Sequence, residues 1–397
     1  MHIILYLFLT LAIVQAQSID QLIKQSLKKH PSLKTIEYRL SLMDERIAIS
    51  QNLANPELSF IINDMQFGDF FSRDLEPMQY QAINFKQKFP WFGKLDARKT
   101  YIQTQRTLIL DSYETAKVKL AEEIRMTAYT LKELEERIKI LNKYKAVAQQ
   151  NIKLYTSYAS TQNSSHINSM SASLLLSKIK VRSQRYKAIH KIQKAKLKYL
   201  VQSNVTTISD PLNIKKPRSL QSYLSRLHNN PRYHMTQSQK NIASANKTIQ
   251  DLEINPDPYV KVGYFNRQEF PDYASITVGF SLPLYGTEKL RSEEARKEVL
   301  AATSASLDYE SSLKSEIEVM HAKLTEAYMI YNIIQNDSLP QLEHMFELTQ
   351  SGIQSGGDLF AYTNILEQKL SLEEERTSIK AEYLRTQARL RSLTGEL

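Results

Sequence analysis

The stretch QKFPWFGKLDARK, residues 87–99, decides the fold because the local pattern of the chain changes abruptly there. Pro90 and Gly93 lie three residues apart among aromatic side chains, and from Lys94 onward neither glycine nor proline occurs until Pro211. Proline ends a strand by withholding an amide donor, and glycine lets the backbone turn from a strand into a helix. We therefore predict that an extended segment ends here and that a very long helix begins.

The same device occurs a second time, at SLPLYGTEKLRSEEARK, residues 281–297. Its proline and glycine follow those of the first stretch by the same interval of 193 positions, at Pro283 and Gly286. Two further proline pairs are each separated by 200 positions, Pro31 with Pro231 and Pro56 with Pro256. The halves align if seven residues are lost at a loop tip, where deletions are tolerated. Repetition on this scale predicts one duplicated structural unit.

Each unit is predicted to contain a first helix, two short strands, a long helix, a turn and a return helix. The first helix is expected from about Ile19 to Leu53, and its copy from Leu220 to Glu253. The predicted divisions are a signal peptide at 1–16, a first repeat at 17–203, a linker at 204–217 and a second repeat at 218–397. The first repeat contains a β-hairpin at 57–89 and a helical hairpin at 94–203. The second contains a β-hairpin at 257–283 and a helical hairpin at 287–397.

The strands are clearest in the second unit, where SITVGFSL (275–282) alternates strictly between apolar and small or polar residues. Its apolar face holds Ile276, Val278, Phe280 and Leu282. Strands of about 8–10 residues are close to the length of one tilted membrane-spanning strand. Four strands close no barrel, and a membrane allows no open edges, so strands in lipid would require oligomerisation. A dimer would supply eight strands and a trimer twelve.

The long helices carry a heptad pattern that predicts packing of helix against helix. Its apolar positions in the first unit are Leu120, Ile124, Leu131, Leu134, Ile138 and Leu141. The formal net charge of +10 does not indicate a nucleic-acid partner, because lysine and arginine alternate with glutamate, as in KELEER (132–137). Such alternation is typical of solvated helix faces.

The N-terminus resembles a secretory signal, with an apolar run from Ile3 to Val14 that is too short to span a bilayer. The run is followed by a small residue at a cleavage position, Ala16, although no lysine or arginine precedes it. A buried N-terminal helix is the alternative. The chain has no cysteine, so we expect neither disulfides nor a lipid-anchor cysteine.

No stretch carries the pattern of a catalytic or phosphate-binding motif, and the histidines are scattered along the chain. We therefore expect no enzyme activity, no cofactor and no resident metal site.

The order of these elements resembles that of the TolC-type outer-membrane efflux family, over essentially the whole mature chain. The segments that carry the resemblance are the Asn-Pro-Glu and Asn-Pro-Asp motifs at 55–57 and 255–257, QKFPWFGK at 87–94, and YLRTQARLRSLTG at 383–395. The resemblance implies a mainly α chain that contributes four strands to a twelve-stranded transmembrane β-barrel in a homotrimer. FPWFGKL is similar to the branch associated with heavy-metal pumps, which would make metal cations the cargo.

Family membership further implies a channel in the outer membrane of a Gram-negative bacterium, in contact with outer-membrane lipid. It implies a periplasmic helical tunnel, with the linker at 204–217 in the belt around it, that docks to an inner-membrane pump through a periplasmic adaptor protein. Two alternatives remain open: a soluble periplasmic coiled-coil scaffold or adaptor, and the duct of a type I protein secretion system. A more remote alternative is a cytoplasmic coiled-coil protein.

The resemblance also points to a gate, because acidic residues at the start of the second return helix help to close family tunnels. Asp358 aligns with the first acidic position, and the second falls on Ala361, which departs from the pattern. Three copies of Asp358 around an axis would attract cations. The alternative role for Asp358 is a helix cap.

Two further features are predicted from residue type. Trp91 and Tyr285, at the two strand-to-helix turns, resemble an interfacial aromatic belt, with a plug between sheet and helices as the alternative. Pro340 interrupts the second long helix and predicts a kink there.

Overall fold

The computed structural model describes residues 17–72, 74–159, 165–353 and 359–397. The predicted signal peptide, residues 1–16, and the gate candidate Asp358 lie outside the described residues. Contacts divide the chain into two compact units. The first contains residues up to Lys34, Glu114–Asn230 and Ser311–Leu397, and the second contains Thr35–Tyr113 and Pro231–Glu310. Each unit takes segments from both sequence repeats.

The element order is helix, strand hairpin and helical hairpin, followed by the same series again. In the first half the elements are α1 (Ile19–Lys29), α2 (Pro31–Ser50), β1 (Glu57–Asn63), β2 (Tyr80–Lys88), α3 (Lys94–Ala159) and α4 (Ser165–Val201). In the second half they are α5 (Leu220–Leu224), a 3-10 turn (Leu227–Asn229), α6 (Pro231–Leu252), β3 (Pro258–Asn266), β4 (Tyr273–Phe280), α7 (Thr287–Ile333), a π-helical segment (Ile334–Ser338), α8 (Leu339–Ile353) and α9 (Leu359–Leu393).

The prediction of one continuous first helix per half was wrong, because both helices break before a proline. The helix expected from Ile19 to Leu53 divides at Pro31, and its copy expected from Leu220 to Glu253 divides at Pro231. The residues before these prolines are extended: His30 has φ −66° and ψ 126°, and Asn230 has φ −65° and ψ 120°. A proline ring disfavours helical backbone at the preceding residue, while its own lack of an N–H suits the first position of a new helix.

His30 and Asn230 are buried at these two matching breaks. The Asn230 side-chain amide donates to the Leu393 carbonyl at 3.0 Å. Nδ1 of His30 shares a hydrogen bond with the Ser32 hydroxyl at 2.7 Å, and its ring meets the Tyr199 ring edge-on at 5.5 Å. Burial lowers the pKa of His30, and the charge of Glu123 opposes that shift only in part.

The four strands form one antiparallel sheet in the order β1-β2-β3-β4, so the two hairpins lie side by side through β2 and β3. Strand β4 ends at Phe280, and Leu282 of the predicted strand lies beyond it. There the Leu284 amide turns back to the Leu282 carbonyl at 3.0 Å, and Pro283 has no amide to continue the ladder.

The helical core of the first compact unit follows the predicted heptad. Leu120, Ile124, Leu131, Leu134 and Leu141 are buried, and Ile138 is half-buried. One buried cluster joins α3, α4 and α9 through Leu141, Tyr144, Ala148, Leu175, Ile179, Leu366 and Leu370. Among the described helices, none is long and apolar enough to cross a membrane.

We expect His30 to make folding stability fall on mild acidification. Its pKa is lower in the folded chain than the usual 6.5, so its contribution is complete above pH 6.5 and is lost as the pH falls through the folded-state pKa. Replacing His30 with Asn, the residue type at position 230, should reduce the loss of thermal stability between about pH 7.5 and about pH 5.5. Circular dichroism melts of both proteins measure this. An equal loss in wild type and His30→Asn would contradict it.

Candidate functional site

The four-stranded sheet has two chemically different faces, which follow from the period of two along each strand. We call one the apolar face. Its large side chains are Leu58, Phe60, Ile62, Ile83, Phe85, Val260, Val262, Tyr264, Ile276, Val278 and Phe280. The register places them against one another, as in Phe60 opposite Ile83 and Val262 opposite Ile276. Most of them are exposed in the single chain, with Leu58 at 74% and Ile276 at 75%, whereas Ile62 and Val260 are half-buried.

The opposite side, which we call the polar face, carries the charged residues, the serines and the threonine of the strands. They are Glu57, Ser59, Lys86, Lys88, Lys261, Ser275 and Thr277, together with Asn84. Toward the loops between the strands this face becomes aromatic: the Phe265 ring stacks on Tyr273 at 4.6 Å and meets Tyr80 edge-on at 5.0 Å. A sheet that is polar on one face and apolar on the other suits a wall between water and an apolar phase.

The outer edges of the sheet are open. Strand β1 pairs only with β2, and β4 pairs only with β3, within the part of the chain that the structure describes. Unpaired amides and carbonyls along such edges are satisfied by water or by another strand.

The two glycines of the strand-to-helix turns both have left-handed backbone. Gly93 has φ +83° and Gly286 has φ +72°, and α3 and α7 begin at the next residue in each case. Side chains disfavour this region, which explains why glycine stands at both turns. Pro90 and Pro283 each lie between the end of a strand and this glycine.

An ion cluster that the sequence analysis missed stabilises the first of these turns. The Trp91 amide donates to the Asp257 carboxylate at 2.9 Å. The Lys94 ammonium group, buried at 3% exposure, lies 2.8 Å from the same carboxylate and 3.0 Å from Glu253. The one sequence feature that pointed to this cluster was the lysine directly after the turn glycine. The second turn has Thr287 at the position of Lys94, so it lacks this cation.

The aromatic residues of the turns are solvent-exposed in the single chain, with Phe92 at 89%, Tyr285 at 94% and Trp91 at 40%. Trp91 and Phe92 meet edge-on at 6.1 Å. Such exposure is what an interfacial belt needs, and the belt stays a prediction.

Ala361 and Pro340, which the gate and kink predictions name, lie in helices of the second half. Ala361, two residues into the described part of α9, is half-buried, and the adjacent Tyr362 is buried. Pro340 is the second residue of α8, which follows the π-helical segment Ile334–Ser338. The Leu339 amide, at the end of that segment, donates to the Ile334 carbonyl, five residues back. This longer bond relieves the clash between a proline ring and the carbonyl of the preceding turn. The bend angle and its role stay predictions.

Ion pairs connect the helices of the first compact unit. Arg389 pairs with Glu122 at 3.0 Å and with Glu316 at 2.7 Å, so one guanidinium joins α9 to α3 and α7. Burial alone would lower the pKa of Arg389, but hydrogen bonds and charges from Glu316 and Glu122 outweigh it and raise the pKa. Within the described residues, no group of three or more histidine, aspartate or glutamate side chains is arranged to hold a metal ion.

Replacing Gly93 with Ala should destabilise the second compact unit by about 1–2 kcal/mol, because an L-residue is strained at this positive φ. The space itself is available, since a Cβ would lie 3.9 Å from its nearest neighbour, Leu252. Gly68→Ala is the matched control, because nothing lies within 4 Å of a Cβ there and the backbone has no such strain. Denaturant unfolding measures both variants, and equal effects would refute the strain argument.

Solved structures of outer-membrane proteins share this architecture. VceC, an outer membrane protein from Vibrio cholerae, has a TM-score of 0.78 at 14% identity, over 95% of this chain and 96% of that chain. The MtrE outer membrane channel of Neisseria gonorrhoeae has a TM-score of 0.78 at 13% identity, over 95% and 89%. The CmeC outer membrane channel of Campylobacter jejuni has a TM-score of 0.75 at 13% identity, over 95% and 85%.

No family model and no curated protein matches the sequence. The structural likeness nevertheless covers nearly the whole chain in each of these comparisons. The mainly helical chain with one four-stranded antiparallel sheet therefore has the fold of the TolC-type outer-membrane channels.

Proposed function

We propose that this protein is the outer-membrane exit duct of a tripartite efflux system. In this role it conducts solutes passively from an inner-membrane pump and a periplasmic adaptor across the outer membrane. The duct itself performs no chemistry, so the proposal includes no enzyme activity and no cofactor.

The two-faced sheet is the observation that carries the proposal. Its apolar face presents large side chains at 45–75% exposure, among them Val262 and Ile276, and a soluble domain would bury most of these. Within the four strands, no lysine, arginine, aspartate or glutamate points to that face. Lipid is the environment that such a surface matches, with water on the polar face.

The open edges set the assembly that we propose. Because β1 and β4 each lack one neighbour in the described chain, lipid insertion requires strands from further copies. We propose a homotrimer with twelve strands, in agreement with the resemblance seen in the sequence. We further propose that residues 1–16 are a signal peptide and that the two repeats, 17–203 and 218–397, are joined by an equatorial linker at 204–217.

The cargo and the rival functions need separate tests. The sequence resemblance makes metal cations one candidate cargo, and a duct for type I protein secretion would use the same architecture. A periplasmic scaffold or adaptor would be a function of another class, because it conducts nothing. The exposed apolar face disfavours a soluble scaffold, because such a face would lie in water.

A lysine at the centre of the apolar face should prevent membrane assembly. At the bilayer midplane Ile276→Lys should destabilise the inserted sheet by about 2–4 kcal/mol, whereas the neighbouring Ser275→Lys points to the polar face and should be tolerated. The measurement is the fraction of each variant that folds into lipid vesicles and resists protease. Equal insertion of the two variants would contradict a lipid-facing position for Ile276, and wild-type protein that fails to insert would argue for a soluble scaffold.

Purified protein in a planar lipid bilayer should give discrete conductance steps. If Asp358 forms part of the gate, Asp358→Asn should change the size or the selectivity of the steps, because it removes like charges near the axis. Asp96→Asn is the control, since Asp96 lies in the first turn of α3 and tests a general helix-terminus effect. Conductance steps whose size and selectivity are unchanged in both variants would indicate that Asp358 acts only as a helix cap. A protein that remains soluble without detergent and never conducts would refute the duct.

A further inference from the structure

The charges of the sheet are concentrated in one row across the polar face. The register places Glu57 opposite Lys86, Lys86 opposite Lys261, and Lys261 opposite Thr277. We call Glu57, Lys86, Lys261 and Thr277 the basic row. Lys88 lies on the same face, two residues beyond Lys86.

The centre of the basic row is a pair of like charges on adjacent strands. Residues directly opposite in an antiparallel sheet have Cβ atoms about 4.5–5.5 Å apart, and like charges at this distance destabilise the pairing. Lys86 is partly compensated by Glu57 at 3.0 Å, but that carboxylate is 71% exposed and lies on the open edge strand. Lys261 has no carboxylate within ion-pair distance in the described chain. The sheet therefore carries an uncompensated positive charge that lowers the stability of the pairing between β2 and β3.

The neighbouring positions do not neutralise this charge. The Lys88 ammonium group lies 3.8 Å from Asp257, but that carboxylate is already bound at 2.8 Å by the buried Lys94. The Lys86 ammonium group lies 5.2 Å from the centre of the Tyr259 ring, a contact that stabilises a cation without cancelling its charge. In total the strands contribute three lysines and one glutamate, all on the polar face.

The row directly beside the basic row contains an unpartnered polar group. Asn84 is 1% exposed, and neither its amide nitrogen nor its oxygen has a hydrogen-bond partner. It stands opposite Gly263, where a Cβ would come within 2.5 Å of the Asn84 oxygen. Glycine thus makes room for this buried amide beside the lysines.

We propose that the polar face of the sheet selects for anions, so that the cargo of the duct carries carboxylate, phosphate or sulfonate groups. The inference rests on the proposed duct, in which the polar face lines the water-filled passage. Repetition of Lys86 and Lys261 around a closed wall concentrates positive potential in a confined space, where fields are focused. A hydrated metal cation is disfavoured by the same potential.

The test is the ratio of chloride to potassium permeability, measured from reversal potentials across a planar bilayer with unequal potassium chloride. The double substitution Lys86→Gln with Lys261→Gln should lower this ratio by about threefold or more at about 0.1 M salt, where charges act over about 10 Å. Lys297→Gln is the matched control, because Lys297 is an exposed helix lysine outside the sheet. Lys261→Arg should retain the wild-type ratio, since it keeps the charge.

The outcomes separate the two proposals. Conductance steps with an unchanged ratio in the double variant overturn anion selection and leave the duct intact. Absence of steps from wild type overturns the duct, and anion selection with it. A double variant that gives normal step frequency, but a ratio shifted toward potassium, supports the proposal, because normal frequency excludes misfolding as the cause. A shift of equal size in Lys297→Gln would overturn the assignment to the sheet.

Discussion

The backbone of a four-stranded sheet with two open edges sets the central constraint on this molecule. Each edge strand presents amides and carbonyls without a strand partner in the described chain, and the same sheet exposes an apolar face. Water satisfies open edges but not an apolar face, whereas hydrocarbon suits the apolar face but not open edges. An assembly that brings strands from other copies would meet both demands, and this is why the proposed function depends on oligomerisation.

The strand-to-helix turns show how the duplicated chain solves one geometrical problem with unequal chemistry. Both turns require a glycine at positive φ. Only the first adds the buried Lys94, which joins the turn to Asp257 and Glu253 at the start of the second hairpin. The second turn, with Thr287 in place of the lysine, has no such cluster among the residues that the structure describes. Duplicated halves therefore share a backbone path while they differ in the ion pairs that stabilise it.

Ion pairs also stabilise the packing of the helices in the first compact unit. Glutamate and arginine residues that look like solvated surface charges in the sequence pair across helices, with Arg389 joined to both Glu122 and Glu316. Glu122 is buried at 7% exposure, and the Arg389 guanidinium at 3.0 Å offsets the cost of taking its carboxylate out of water. Charge alternation along a helix thus indicates a solvated face only where no other helix covers it.

The sequence by itself determined the helices and strands, because period-two and heptad patterns record which side chains avoid water. It also determined the turns, where Gly93 and Gly286 occupy a backbone region that most side chains disfavour. It did not predict the breaks before Pro31 and Pro231, because a proline is compatible both with a helix start and with a kink. It did not predict the Lys94 cluster, since Lys94 and Asp257 are 163 positions apart.

Only the tertiary structure decided which charges face each other. The sequence contains Lys86 and Lys261 as two unrelated lysines, and the antiparallel register of β2 and β3 makes them direct neighbours on one face. Strand order and register arise from backbone hydrogen bonds between distant segments, which leave no local trace in composition. A one-residue slip would send one lysine to the apolar face. The local sequence pattern therefore specifies the helices and strands, and the long-range pairing of the strands specifies which charges share the polar face.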